Sequence, residues 1–175
     1  YNPIIKKIRE IEKPVIAAVN GVAAGAGANL ALACDIVVAS QSANFIQAFS
    51  KIGLIPDSGG TYFLPRLIGL PKATAIMMTG ESVSAEKAEK MGMIYAVYKD
   101  TEFESKSLEL VKFISEMPTK GLGYTKKLLN HSLNNSLEEQ LDLEAEIQAL
   151  SAKSEDHKEG IKAFLEKRPP VFTGK

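Results

Sequence analysis

Apolar residues at Ile4, Ile5, Ile8 and Ile11 fall on one face at helical spacing. Asn2 is a candidate cap with Pro3 at the first helical position, and Pro14 ends the pattern, so the chain is expected to open with a helix. From Val15 to Val19 the apolar run is continuous, which suits a short strand covered on both faces. Asn20-Gly21 marks a turn. Alanine and leucine between Ala26 and Cys34 predict a helix, and the β-branched run Ile36 to Ala39 after Asp35 predicts a strand. Ala43 to Phe49 is expected to be extended, on a weak pattern. A turn around Asp57 then leads into a helix from about Gly59 to Ile68, and after the break at Gly69 a second helix runs from Pro71 to Thr79. Ser84 to Met91 reads as a short helix closed by Gly92, and Ile94 to Tyr98 as a strand.

Beyond Tyr98 only helices are expected. Thr101 with Glu104, and Ser136 with Glu139, have the spacing at which a hydroxyl and an acid satisfy each other's orphan backbone donors. Pro118 is placed to start a helix through His131, and Asp156 to cap a last one containing Ile161, Phe164 and Leu165. Strands in the first half and helices in the second give an α/β class with mainly parallel, crossover-connected strands. The expected division is residues 1–100 for the mixed part and 101–175 for the helical part. No internal repeat, low-complexity tract or linker is visible.

Pro14 to Cys34 carries no charge and has about the 20 residues a membrane helix needs. Asn20, Gly21, Gly25, Gly27 and Asn29 interrupt it, so strand, turn and helix account for it better. The 21 basic residues equal the 21 acidic ones, and no net field recruits nucleic acid or an anionic membrane; neither partner is expected. The single cysteine, Cys34, has no internal disulfide partner and sits in an apolar helix as a small core residue, in keeping with a reducing, cytoplasmic compartment. Tyr1-Asn2-Pro3 shows no leader pattern, so no signal peptide is expected.

The stretch Gly21 to Leu30 contains three glycines but fits neither phosphate loop. A dinucleotide fingerprint needs a small residue where Leu30 stands, and a P-loop needs lysine where Ala28 stands. What remains is a strand, a glycine-rich turn and a helix N-terminus with unpaired N–H groups, the construction of an oxyanion hole. Close helix–strand packing of small residues explains the same glycines, and the residues alone leave both readings open. Asp57, in Gly53-Leu-Ile-Pro-Asp-Ser-Gly-Gly-Thr61, is either a turn former and cap or a rigidly held general base with no second acid beside it. Pro56 occupies the first glycine position of a nucleophile elbow around Ser58, which disfavours a serine hydrolase. His131 and His157 lack metal-ligand spacing and are expected on the surface. Lys126-Lys127 and Lys167-Arg168 are expected on solvated faces, with phosphate contact as the alternative.

Taken together, Lys13-Pro-Val-Ile-Ala-Ala-Val-Asn-Gly21, Gly25-Ala-Gly27, Cys34-Asp35, Gly53-Leu-Ile-Pro56, Gly59-Gly60-Thr61, Ser84-Ala-Glu-Lys-Ala88 and Glu159-Gly160 through Arg168 resemble the crotonase, or enoyl-CoA hydratase/isomerase, superfamily. The resemblance covers essentially the whole chain. It implies a ClpP-like spiral of ββα units, a C-terminal helical trimerisation region, a homotrimer or hexamer, and an acyl-CoA thioester as substrate with no cofactor. It carries an oxyanion-hole N–H onto Ala26 and implies a second donor on a loop in an N-terminal part of the family fold that this chain does not contain. Substrate-binding positions fall on Ala24, Gly25, Gly27, Leu54, Pro56 and Tyr62, with Ile55 and Phe63 as further walls. CoA-binding positions fall on Phe164 and Lys167, acting from a neighbouring subunit.

The departures from the family pattern set the expected activity. Hydratases of this family carry glutamates where Asn29 and Phe49 stand here, and water addition needs both. Asp57 matches the aspartate of the branch that resembles the phenylacetate-pathway ring-1,2-epoxyphenylacetyl-CoA isomerase. The expected activity is therefore isomerisation of an enoyl-CoA, or of an epoxyphenylacetyl-CoA to an oxepin, with Asp57 as the single catalytic acid/base. Such a base is worth about 10²–10⁴ in rate. The alternatives are an enoyl-CoA hydratase, an aryl-CoA dehalogenase-like enzyme using the aspartate as nucleophile, and a non-catalytic oligomeric member.

Overall fold

The computed structural model describes residues 1–175 and divides into two compact units, Tyr1–Arg9 with Val15–Leu110, and Glu10–Pro14 with Val111–Lys175. The first unit opens with α1 (Asn2–Glu10), followed by β1 (Ile16–Val19), β2 (Val22–Ala24) and α2 (Ala26–Leu32). Next come β3 (Ile36–Ser40), β4 (Asn44–Ile46), a 3₁₀ turn over Ala48–Ile52, α3 (Gly60–Ile68) and α4 (Leu70–Thr79). It ends with β5 (Ser82–Ser84), α5 (Ala85–Lys90) and β6 (Ala96–Tyr98), after which α6 (Phe103–Ser115) runs on into the second unit.

Two three-stranded sheets carry the first unit. One has the order β1-β3-β6 and is wholly parallel, with Ile16 opposite Ile36 and Val38 opposite Ala96. The other, β2-β4-β5, pairs β2 with β4 in parallel and β4 with β5 antiparallel. The pairs β1-β2 and β3-β4 each send the first member to one sheet and the second to the other, whereas β5 joins the second sheet and β6, after α5, returns to the first. A structural ββα unit thus recurs twice where no sequence repeat is visible. Strands β2 and β5 are three residues each, too short for a period-two pattern to register, and cross-strand pairing rather than propensity forms them. For the same reason the extended segment expected over Ala43–Phe49 shrinks to β4, and the chain then tightens into the 3₁₀ turn.

Between the sheets and helices lies a core built from small residues of α2 and α5 and larger ones of the strands: Ala28, Phe45, Leu64, Val83, Ala85 and Ala88 are at most 1% exposed. The apolar face expected on α1 is only half covered, with Ile4 52% exposed. Asp35 closes the junction between α2 and β3. Its Oδ1 accepts from Arg9 at 2.9 Å and its Oδ2 from the Val15 N–H at 2.8 Å. The uncharged run from residue 14 to 34 thus folds as two strands and a helix, and no helix of the protein is long and apolar enough to cross a membrane.

In the second unit α7 (Thr119–Ser132), α8 (Leu137–Ser151) and α9 (Glu155–Glu166) follow α6. The Ser136–Glu139 capping box forms as expected. Thr101–Glu104 does not form one, because α6 begins later: the Lys106 N–H bonds the Glu102 carbonyl, which makes Glu102 the boundary residue. Asp156 is not the cap of α9. Ser154 holds that place, accepting from the His157 N–H at 3.1 Å, while Asp156 lies inside the first turn, 3% exposed, and accepts from the N–H groups of Thr173 and Gly174. Lys126 is buried rather than solvated, and donates its Nζ to the Lys13 carbonyl at 3.0 Å. One turn before it, Gly123 approaches Glu12 so closely that a Cβ would lie 2.6 Å from the Glu12 carbonyl oxygen.

Candidate active site

The turn between β2 and α2 is built around Gly25, which holds φ +53° and ψ −122°, a conformation that costs an L-residue with a Cβ considerable strain. Its N–H donates to the Ile46 carbonyl of β4 at 2.8 Å, so the neighbouring strand fixes the turn. The first bond inside α2 runs from the Asn29 N–H to the Gly25 carbonyl at 3.1 Å. The N–H groups of Ala26, Gly27 and Ala28 precede it and have no acceptor within the helix. Ala26 is half-buried, while Ala24 and Gly27 are exposed. Phe49 lies over the turn, its ring 3.5 Å from where a Cβ on Gly25 would stand. The first donor is thus flanked by an aromatic ring and not by a carboxylate.

A second turn, from Gly53 to Gly60, presents Asp57. Gly53 caps the 3₁₀ turn with φ +71°, and Ser58 and Gly59 follow at φ +50° and +78°. Ser58 is one of two non-glycine residues in the protein with positive φ, a strain held in place by its burial at 2% exposure. Its hydroxyl donates to Asp57 Oδ1 at 2.9 Å. The Asp57 carbonyl accepts from the Gly60 N–H at 2.8 Å and from Asn29 Nδ2 at 2.9 Å, so both its lone pairs are in use. The residue is exposed, and its Oδ2 carries no bond from the chain. Thus the backbone of Asp57 is tethered to the first turn of α2 while half of its carboxylate stays free.

Around this turn Leu54 and Ile55 are 60% and 82% exposed, Tyr62 is 40% exposed and Pro56 is half-buried. They form an apolar rim beside the acid. Phe63, expected as a further wall, packs instead under Gly59 and beneath Arg9, whose guanidinium lies 5.9 Å from the ring centroid. Tyr62 carries the Arg66 guanidinium 3.7 Å from its own centroid.

Three residues of this site escape a reading of motifs: Gln47, Ser58 as an anchor, and Asn29 as the tether rather than as an empty acid position. Asn29 is fully buried and Gln47 is 1% exposed, joined by a bond of 2.7 Å from Gln47 Nε2 to Asn29 Oδ1. A lone polar side chain in an apolar helix must find a buried partner, and that was the available signal.

The CoA-binding candidates lie in the second unit. Phe164 is 83% exposed on α9 and lines a groove of about 420 Å³ with Ile161, Leu165 and Phe172. Lys167 is exposed at the C-terminal cap of α9. Its neighbour Arg168 is occupied, making paired bonds of 2.6 and 2.9 Å to Glu159 and one of 2.7 Å to Glu166. Hydrogen bonds from Arg168 and from the Val171 N–H hold the Glu159 carboxyl down at about 2, and the same carboxylates raise the Arg168 guanidinium. Of this basic pair, only Lys167 presents an uncommitted charge. His131 and His157 are both exposed, and no acid–histidine–cysteine cluster of metal-binding size occurs.

Comparison with known proteins follows the same outline. Residues 1–175 match the model of the enoyl-CoA hydratase/isomerase family. The 1,2-epoxyphenylacetyl-CoA isomerase of Escherichia coli is 49% identical over 175 residues, covering 100% of this chain and 67% of the relative. The 2,3-dehydroadipyl-CoA hydratase of the same organism is 37% identical over 169 residues, 97% of this chain and 66% of the relative. The crystal structure of an enoyl-CoA hydratase from a Polaromonas species superposes with a TM-score of 0.92 at 38% identity, over 97% of this chain and 66% of the other. The chain therefore spans about two thirds of the length of these proteins, and both isomerase and hydratase names occur among them.

Proposed function

The chain belongs to the enoyl-CoA hydratase/isomerase family and has its crotonase fold, and from that premise we propose that it is an isomerase of acyl-CoA thioesters. The reaction is a double-bond shift from Δ3 to Δ2 in an enoyl-CoA, or the related conversion of an epoxyphenylacetyl-CoA to an oxepin. One observation carries the reading: Asp57 is bound by its backbone carbonyl to Asn29, in the same first turn of α2 that bears the Ala26 N–H, and keeps one carboxylate oxygen free.

In the double-bond shift Asp57 takes a proton from the γ-carbon. The electron pair left behind moves through the double bond to the thioester carbonyl, whose oxygen gains the charge. The Ala26 N–H, at the positive end of α2, stabilises that dienolate oxygen. Protonated Asp57, exposed and so able to exchange its proton with solvent, then delivers a proton to the α-carbon, and the product is the conjugated isomer. The sum is redox-neutral and uses no cofactor. Leu54, Pro56 and Tyr62 wall the acyl chain, Ala24, Gly25 and Gly27 let it approach the backbone, and Phe164 and Lys167 of a neighbouring subunit meet the CoA adenine and its phosphate. The exposed apolar face of α9, with Leu165 at 74%, supports assembly into a trimer or hexamer.

Water addition is the less supported activity. Both hydratase acid positions are filled otherwise, Asn29 by a buried amide bonded on both sides and Phe49 by a ring over Gly25. The deciding measurement is incorporation of solvent deuterium into a Δ3-enoyl-CoA, followed by mass spectrometry together with product analysis. The isomerase reading expects deuterium at the α-carbon and no hydroxyacyl product. Steady formation of 3-hydroxyacyl-CoA would establish the hydratase instead.

A further inference from the structure

Three elements meet at one buried amide. Asn29 lies in α2 among Ala28, Ala31 and Leu32, fully enclosed, and its two polar atoms have different partners. Nδ2 donates to the Asp57 carbonyl at 2.9 Å, and Oδ1 accepts from Gln47 Nε2 at 2.7 Å. Gln47 thereby fixes which end of the Asn29 amide faces Asp57. Gly60, at the head of α3, leaves room for it: a Cβ there would stand 2.7 Å from Asn29 Cγ.

Packing alone does not account for this arrangement. Buried amides stabilise a fold only when all their atoms are paired, yet Gln47 Oε1 is enclosed without a partner. What a directional amide–carbonyl bond supplies, and an apolar contact does not, is a fixed distance and angle. Ala26 and Asn29 are one turn apart in the same helix, a rise of about 4.5 Å. The spacing between the candidate oxyanion donor and the candidate base is thus set by one helical turn and one hydrogen bond.

We propose that Asn29 is a positioning residue for Asp57, oriented by Gln47 and accommodated by Gly60. The proposal rests on the reading of Asp57 as the base, and it assigns the tether a role in rate rather than in folding. Misplacing a reacting group by about 1 Å costs about 10²-fold in rate.

The test uses the full chain and four proteins: the wild type, Asp57→Asn, Asn29→Asp and Gly60→Ala. Asn29→Asp keeps the acceptor for Gln47 and removes the donor to Asp57. Gly60→Ala displaces the Asn29 amide from the other side, although alanine within a helix ordinarily stabilises relative to glycine. Solvent-deuterium incorporation into enoyl-CoA is measured across substrate concentration, with melting temperature and amide exchange by mass spectrometry alongside. The expected result is a fall of about 10–10²-fold in the maximal rate for both tether variants, with half-saturation within about twofold. Amide exchange should quicken over residues 57–62 and stay unchanged over 36–40. An active wild type, an inert Asp57→Asn and tether variants within about twofold of wild type would overturn the positioning role alone. A rate loss matched by quicker exchange throughout the strands would also overturn it, as a folding effect. An inert wild type, or an Asp57→Asn protein as active as wild type, would overturn the base assignment and the tether's role with it.

Discussion

Asp57 and Asp156 are two aspartates near the start of helices, and the protein uses them in opposite ways. Asp156 is 3% exposed, and its two carboxylate oxygens accept from the Thr173 and Gly174 N–H groups at 2.7 and 2.9 Å, strapping the last residues along α9. Asp57 has its carbonyl doubly bonded instead, one carboxylate oxygen held by Ser58, and the other free. An acid whose oxygens are spent on backbone donors is a fastener. One whose main chain is fastened while its carboxylate stays open is equipped to move protons.

The contrast is most open to attack at Asp57. Asp57→Asn should lower deuterium incorporation into enoyl-CoA by about 10²–10⁴-fold, while calorimetry shows a melting temperature close to wild type. A protein that lost stability to the same degree would place Asp57 with the fasteners. Asp156→Ala should do the reverse. The N–H groups of exposed Thr173 and half-buried Gly174 would lose their acceptor, at about 1 kcal/mol each, read as a lower urea midpoint, with turnover per folded molecule retained. Ser58→Ala should fall between them. It removes one hydrogen bond to Asp57, worth about 1 kcal/mol, so the rate should change by about fivefold, seen in the same deuterium assay.

The smallest effect is expected at Glu159. Its carboxyl sits at about 2 in the folded protein, below the ordinary value of 4.5, because Arg168 and the Val171 N–H favour the charged form. Its contribution to stability is therefore complete above the ordinary value and is lost as pH falls from there through about 2. Acid unfolding followed by circular dichroism should show Glu159→Gln with a shallower loss across that window, and no difference from wild type in shape near neutrality.

Much of this was legible in the chain itself. Ile36 to Ala39, the helix pair broken at Gly69, and the Ser136–Glu139 box follow from β-branching, a glycine at φ +81° and a local hydroxyl–acid exchange, all decided by neighbours in sequence. The Asp57 turn was also legible, since proline and paired glycines limit what the backbone can do there. Tertiary structure alone decided the rest. The strands β2 and β5 exist because β4 lies between them, and no local pattern encodes a partner. Lys126 looked solvated from its neighbours, yet the carbonyl of Lys13 draws it inside. The roles of the two aspartates rest on groups 28 residues away for Asp57 and 17 and 18 residues away for Asp156. Sequence sets which residues carry a charge or bend the chain, because those properties are local. Whether a carboxylate is spent or left free depends on which distant donors the fold delivers to it, and only the packed chain determines that.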